Sequence, residues 1–283
     1  MKKGWKIFWM ICGIVAGAGV LFCVIGLALG VTTDKIRLRV GHGIGIVADE
    51  DDVSRAEDIR ETYRGVKKID AFVYAGTVEI IPGDVEEVTV ETDGISEVLG
   101  FQTSMDGDEL KITTRDHLWR TNHVGIGTIY IYIPQDMVLD DLSMELGMGS
   151  LYMENICAEK MSVDAGTGEA QLYDVQASEA QLQCGVGSVT GSGCISRKLD
   201  IDVGVGDLEF TAAGNEGDYD YDIDVGVGDV QCGAEDFSGL GATHQIDNGA
   251  GRTISVDCGA GSAVINFDGT SHHEWKEGHH HGY

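Results

Sequence analysis

Leu182-Gln183-Cys184-Gly185-Val186-Gly187-Ser188-Val189, Ile201-Asp202-Val203-Gly204-Val205-Gly206-Asp207-Leu208 and Ile223-Asp224-Val225-Gly226-Val227-Gly228-Asp229-Val230 are three octapeptides of one pattern, and they decide the fold. Gly-x-Gly pairs begin at Gly147, Gly166, Gly185, Gly204, Gly226, Gly249 and Gly259, in steps of 19, 19, 19, 22, 23 and 10 residues. Three residues before the first glycine stand Met144, Val163, Leu182, Ile201, Ile223, Ile246 and Val256. One before it stand Leu146, Ala165, Cys184, Val203, Val225, Asn248 and Cys258; four after it come Leu151, Ala170, Val189, Leu208, Val230, Thr253 and Ala263. Between the first two columns runs a polar one: Glu145, Asp164, Gln183, Asp202, Asp224, Asp247 and Asp257. Alternation of inward and outward positions is the signature of a strand buried on one face.

A unit of about 20 residues cannot bury its apolar face alone, but stacked copies share one core. Turns would then lie about 4.8 Å apart, with equivalent residues in ladders and glycines where the corner needs close backbone approach. The reading is an all-β chain, a β-solenoid (parallel β-helix-like) of about 20-residue turns. Stacking in chain order places Ile201 against Ile223, and brings Asp202 and Asp247 near Asp224. Upstream, Ile69–Ile81, Val85–Thr92, Glu109–Thr114 and Gly127–Ile133 alternate or are β-branched, with turns at Pro82-Gly83-Asp84 and Asp106-Gly107-Asp108.

Composition agrees with this reading. Of 283 residues 41 are glycine and only 2 proline, which suits glycine turns and disfavours collagen or Pro-rich linkers. With 47 acids against 19 bases the formal net charge is −28, so a phosphate backbone would be repelled and nucleic acid is excluded as a partner. Cations and basic surfaces are favoured by sign.

The chain divides into residues 1–34, a membrane anchor; 35–65, a juxtamembrane spacer that ends in a helical Val53–Arg64; 66–268, the repeat domain; and 269–283, a His-rich tail. Ile7 to Val31 is uncharged, and Lys2, Lys3 and Lys6 precede it. At about 1.5 Å per residue this run crosses a hydrocarbon layer of about 30 Å as a helix. A signal peptide cleaved near Ala28-Leu29-Gly30 is the alternative. The charge bias places the N-terminus inside and the domain outside the cytoplasm. The run Gly41-His42-Gly43-Ile44-Gly45 lacks the Lys-Ser/Thr of a phosphate loop.

The anchor, the stretch Val66–Pro82 with Tyr74-Ala75-Gly76-Thr77-Val78-Glu79-Ile80, the segment Ile129–Asp136 and the following Gly-x-Gly repeats resemble the bacterial adhesin-type β-strand-repeat family of unknown function. The resemblance covers roughly residues 66–268. It implies a β-helical domain, frequently tethered to the membrane in Gram-positive bacteria, and supplies no catalytic residues.

Catalytic signatures are sparse. No serine has glycine at both −2 and +2, so the nucleophile elbow is missing. In the tail, Glu277 replaces the second histidine of a His-Glu-x-x-His zinc motif. Cys157, Cys184, Cys194, Cys232 and Cys258 form no Cys-x-x-Cys pair, and Cys184 and Cys258 fall in an apolar column as small buried fillers. The acids carry the one site expectation. Between Leu199 and Gly251 there are 13 Asp or Glu and no Lys or Arg. Asp218, Asp220, Asp222 and Asp224 alternate onto one strand face, and stacking adds Asp202 and Asp247. Two like charges about 5 Å apart repel by roughly 0.8 kcal/mol even in water, so such a ladder attracts cations, Ca²⁺ being the natural one, or stands as a solvated face that opposes aggregation.

The function expected is therefore a membrane-anchored, extracytoplasmic, non-catalytic binding or structural surface protein with a cell-envelope or surface ligand. The alternatives are a Ca²⁺-dependent envelope sensor or scaffold, and a β-helix enzyme acting on polysaccharide.

Overall fold

In the computed structural model the described residues are 55–114, 127–237 and 241–270. The expected membrane span, the acidic run of the spacer and residues 271–283 of the His-rich tail lie outside them. Among the described residues no helix is long and apolar enough to cross a membrane.

These residues form sixteen strands in one continuous hydrogen-bonded ladder. The first six are β1 (Arg60–Tyr63), β2 (Lys68–Gly83), β3 (Val88–Asp93), β4 (Gln102–Asp106), β5 (Glu109–Thr113) and β6 (Thr128–Pro134). The repeats supply β7 (Val138–Glu154), β8 (Cys157–Cys184), β9 (Ser188–Val203), β10 (Asp207–Ala212), β11 (Asp220–Val225) and β12 (Asp229–Cys232). The last four are β13 (Glu235–Asp236), β14 (Ala242–Ile246), β15 (Thr253–Cys258) and β16 (Ser262–Phe267). The fold is all-β and solenoid-like, as the periodicity requires. Arg60–Tyr63 is a correction: this part of the spacer is a strand paired antiparallel with β3, not the end of a helix. Its residues alternate around Glu61 and Tyr63 with a β-branched Thr62, and an adjacent strand edge outweighs the helical propensity of a short polar run.

Each turn bends at its Gly-x-Gly corner. Residues before the corner build a first side, and residues after it a second. β7 and β8 pair in parallel with a constant offset, Val138 against Cys157 through to Glu154 against Tyr173. β8 and β9 continue this from Glu169 against Ser188 to Cys184 against Val203, with shifts between Leu172/Val175 and between Ala177/Glu179. The inward residues of both sides merge into one core: Leu182, Ile201, Ile223 and Val256 from the first side, Leu172, Val189, Leu208 and Phe210 from the second, all buried. The Phe210 ring takes the space that a side chain at Gly191 would need, so a large residue on one turn is matched by none on the next.

The corner imposes the glycines. A Cβ at Gly187 would collide with the carbonyl oxygen of Gly168, one turn away, and the same clash recurs from turn to turn through Gly206 and Gly261. Cysteine fits beneath this ladder because it is small: a Cβ at Gly206 would come within 2.5 Å of the Cys184 sulfur, and one at Gly228 within 2.7 Å of the Cys258 sulfur. Cys184, Cys194, Cys232 and Cys258 are buried thiols without disulfides, and burial pushes the Cys232 thiol up to about 12.

The order of turns differs from chain order. β15 pairs with β9 on one side and with β11 on the other; β16 likewise lies between β10 and β12. The last turn in sequence is thus inserted between the two before it. Ile201 and Ile223 do face inward, but Val256 separates them. The physical reason is that all three columns carry the same chemistry, so any of these turns satisfies its neighbour. A crossover from Ala213 to Tyr219 carries the chain past the vacant rung; Tyr219 is buried there, donates to the Ala213 carbonyl at 2.7 Å and has Arg252 over its ring at 5.5 Å. The other end mirrors this. β2, the first parallel turn, lies between β7 and the pair β5 and β6. Outside these come antiparallel strands: β4 and β3 at one end, β14 and β13 at the other. Gly249 is therefore not a corner; it follows the edge strand β14, with φ of 67°.

Two outcomes test this arrangement in urea denaturation. Val256→Asp places an unpaired charge between two turns and is expected to cost more than about 4 kcal/mol, at least as much as Ile201→Asp. Gly187→Ala, although a minimal change, is expected to destabilise by several kcal/mol or prevent folding, because backbone and not a flexible side chain blocks the methyl group. A tolerated Val256→Asp would place that turn at the solenoid's edge.

Candidate functional site

On the first side, the outward positions near the C-terminal end form an acidic groove. Asp202 stands opposite Asp257, and Asp257 opposite Asp224, in consecutive turns. Beside them run Asp200, Ser255 and Asp222 in the same order. These residues with Gln181 and the edges of Ile201 and Val256 bound a groove of about 210 Å³. Strand alternation explains the placement: Asp222 and Asp224 are exposed, while Tyr221, Ile223 and Val225 between and beside them are buried.

Of the six expected carboxylates, the fold brings Asp202, Asp222 and Asp224 to this groove. Asp224 accepts from the Thr243 hydroxyl at 2.5 Å and Asp222 from the Gln245 amide at 3.3 Å, both across the antiparallel edge strand β14. The other three are engaged elsewhere. Asp218 belongs to a 3-10 turn, Glu216–Asp218, and caps it with Asn215, so the strand face begins only at Asp220. Asp220 accepts from the backbone amides of Asn248 and Ala250 at 2.7 and 3.1 Å. Asp247 accepts from the Gly249 amide at 2.9 Å, in the loop after β14, and not beside Asp224. Capping and loop hydrogen bonds take these carboxylates because short polar side chains compete for nearby amides. Asp257 fills the place expected of Asp247. Among the described residues no group of three or more His, Cys, Asp or Glu is gathered to hold a metal ion.

Two neighbouring features were not expected from sequence. Along the corner beside the groove, the middle residues of Gly-x-Gly make an exposed apolar ridge, with Val186, Val205 and Val227 at 58, 64 and 70% exposure. Toward the other edge of the same side, charges alternate from turn to turn: Glu109, Lys68, Asp141 and Lys160 are successive partners, as are Glu179 and Lys198. Lys68 and Lys160 oppose the burial that raises Asp141. The column containing Asp202 has no such basic partner. Within it Asp164 is held above the usual carboxylate range, first by burial and then by the charge of Asp202.

A profile of the family described as Toastrack DUF4097 matches residues 66–239, more than half of the chain. Solved structures give weaker likenesses. A "putative cell adhesion protein" from Clostridium sporogenes is 14% identical, over 75% of this chain and 99% of that one, with a TM-score of 0.43. A "putative adhesin" from Bacteroides fragilis is 14% identical, over 74% and 97%, with a TM-score of 0.38. A "putative lipid binding protein" from Parabacteroides distasonis is 16% identical, over 74% and 96%, with a TM-score of 0.33. At these values none of the three carries a function across. No curated protein matches the chain.

The electrostatics of Asp164 make a pH prediction. A carboxyl whose folded pKa is raised binds its proton more readily in the folded state. Its contribution therefore favours the fold in acid and is lost as pH rises through the folded value. Asp164→Asn is expected to raise the melting temperature at pH 7 and to change it little near pH 3. An equal gain at both would show that the Asp164 charge is not what destabilises the column.

Proposed function

This chain belongs to the Toastrack family DUF4097, and we propose that it is a membrane-anchored, extracytoplasmic binding protein without catalysis, whose envelope or surface ligand docks on the first side of the solenoid. One observation carries the proposal. The carboxylate column Asp202, Asp257 and Asp224 runs over three consecutive turns whose corners carry the exposed apolar residues Val205, Ala260 and Val227 in the same order. An exposed apolar strip bordered by charge of one sign is a surface for a partner and serves no purpose in the solenoid's own core. The strip is held in place at its bends, where the Val205 amide donates to the Gly185 carbonyl at 2.9 Å and the Val227 amide to the Gly259 carbonyl at 2.7 Å, so a ligand meets a preorganised array. The uncharged run Ile7–Val31 supports the anchor, and Lys2, Lys3 and Lys6 before it support an exported domain.

Cation dependence is the second reading, favoured by the unneutralised groove. Ca²⁺ bound to the native state alone would stabilise it by about 2.7 kcal/mol at a hundredfold excess over its Kd. Diffuse screening would act alike for any salt of the same ionic strength, whereas coordination would not.

Three measurements test these readings. Protease added to intact protoplasts is expected to digest the domain; full protection reverses the orientation. Cross-linking on intact cells is expected to join the full chain to envelope components, and the adducts to disappear in Val205→Ser/Val227→Ser; adducts indifferent to that change would remove the strip from the function. CaCl₂ is expected to raise the melting temperature beyond NaCl of equal ionic strength, by less in Asp222→Asn/Asp224→Asn. Equal effects of both salts would leave the groove a solvated face.

A further inference from the structure

The second side carries a different surface. On β6 the outward residues are Tyr130 and Tyr132, whose rings stack 6.2 Å apart at 11°. Glu79 of β2 stands between Tyr130 on one neighbouring strand and Tyr152 on the other. Two residues further along β7, Glu154 stands opposite Tyr173 of β8. Tyr152 donates its hydroxyl to Glu154 at 2.6 Å, and its ring lies 5.7 Å from that of Tyr173. Tyrosines and carboxylates thus interleave over four turns.

The protein already shows what such a combination holds. At the edge of this face, Arg60 of β1 lies over the Tyr132 ring at 5.7 Å and pairs with Glu91 at 2.6 Å. Glu91 is the neighbour of Tyr130 on β3. One guanidinium is therefore held by a tyrosine face and a carboxylate together, an attraction that combines cation–π and charge-assisted hydrogen bonding. The same pairing of groups recurs at Glu79 with Tyr130 and Tyr152, and at Glu154 with Tyr152 and Tyr173. Among the described residues no Lys or Arg pairs with Glu79 or Glu154.

We propose that this tyrosine–glutamate face is a docking surface for an extended, arginine-bearing segment of a partner polypeptide, whose guanidinium groups repeat at Glu79 and Glu154 the contact that Arg60 makes at Glu91. The spacing fits. Glu79 and Glu154 are one turn and two residues apart, on the order of 8 Å, and alternate residues of an extended peptide are about 6.7 Å apart. Side chains as long as arginine absorb the difference. Arginine is preferred to lysine because its planar group stacks on a ring and forks onto a carboxylate at once. The net charge of −28 brings any basic segment to the protein, and the rings provide the selection. The inference adds a surface to the binding role proposed above and stands apart from the valine strip, which runs along the corner of later turns.

The test is isothermal titration of the full chain in detergent micelles with an Arg-Val-Arg-Val-Arg-Val peptide and its Lys and Glu counterparts. Binding is expected in the order Arg, Lys, with none for Glu. Glu79→Gln/Glu154→Gln and, separately, Tyr152→Leu are each expected to weaken the Arg peptide about tenfold. Asp202→Asn/Asp257→Asn/Asp224→Asn, which removes three charges from the other side, is expected to change it by less than about twofold. Melting curves confirm that each variant is folded, and the near-isosteric Gln pair decides the matter should Tyr152→Leu unfold. Three results overturn the proposal: no binding of the Arg peptide, equal losses in the Asp and Glu variants, or Tyr-dependent binding of soluble cell-wall oligosaccharide in its place. None of them alters the cross-linking outcome at Val205 and Val227, so the two readings fail separately.

Discussion

The stacked corner is the constraint on which the rest of this molecule depends. At six Gly-x-Gly corners the carbonyl oxygen of one turn occupies the position that a side chain of the next would need, from Gly149 through Gly168, Gly187, Gly206 and Gly261 to Gly228. Removing the side chain lets successive backbones approach at ladder distance while turning sharply. Once the corner is closed, the register of both sides follows, since Leu182 and Ile201 sit three residues before their corner glycines and Val189 and Leu208 four residues after the same ones. Core width follows too. Ala165, Cys184, Val203, Val225 and Cys258 fill positions next to the corner with small or β-branched side chains, while Leu182, Ile201 and Phe210 lie further from it.

A parallel solenoid leaves an open ladder at each end, and here both ends are managed in the same way. The first and last parallel turns in the chain are each bonded on two sides, and the outermost positions go to short antiparallel strands. β4 reads Gln-Thr-Ser-Met-Asp and β14 Ala-Thr-His-Gln-Ile, both largely exposed and polar, which makes them poor templates for another chain. Tyr219 at the end of the crossover and Arg252 at the start of the inserted turn then serve the insertion. They close the loop that steps over the last turn, with Tyr219 also packed 5.6 Å from Phe267 of that turn.

Equivalent positions in neighbouring turns also organise the surface. A repeated outward residue meets its own kind at about 4.8 Å, so like charges repel unless the column alternates. The column of Glu109, Lys68, Asp141 and Lys160 alternates and is structural in character. The column of Asp202, Asp257 and Asp224 does not, and neither do the tyrosines and glutamates of the second side. Columns that forgo the alternation available elsewhere on the same scaffold are those where an outside partner can supply the missing charge.

The sequence by itself determined the strand class, the turn length, the inward and outward columns and the corners other than the one expected at Gly249, because each is a local consequence of side-chain alternation and of glycine. It also marked the acidic column, including Asp257, and the junction where the step between glycines grows from 19 to 22 residues. The tertiary structure alone decided the order of the turns. Ile201, Ile223 and Val256 are interchangeable as neighbours, so periodicity carries no information on which turn lies against which. That order in turn placed Asp257 between Asp202 and Asp224 and sent Asp247 and Asp220 into loop hydrogen bonds. The tyrosine face was hidden for a related reason: Tyr130, Glu79, Tyr152 and Tyr173 come from four strands spread over the chain, and only parallel pairing of β2 with both β6 and β7 sets them side by side.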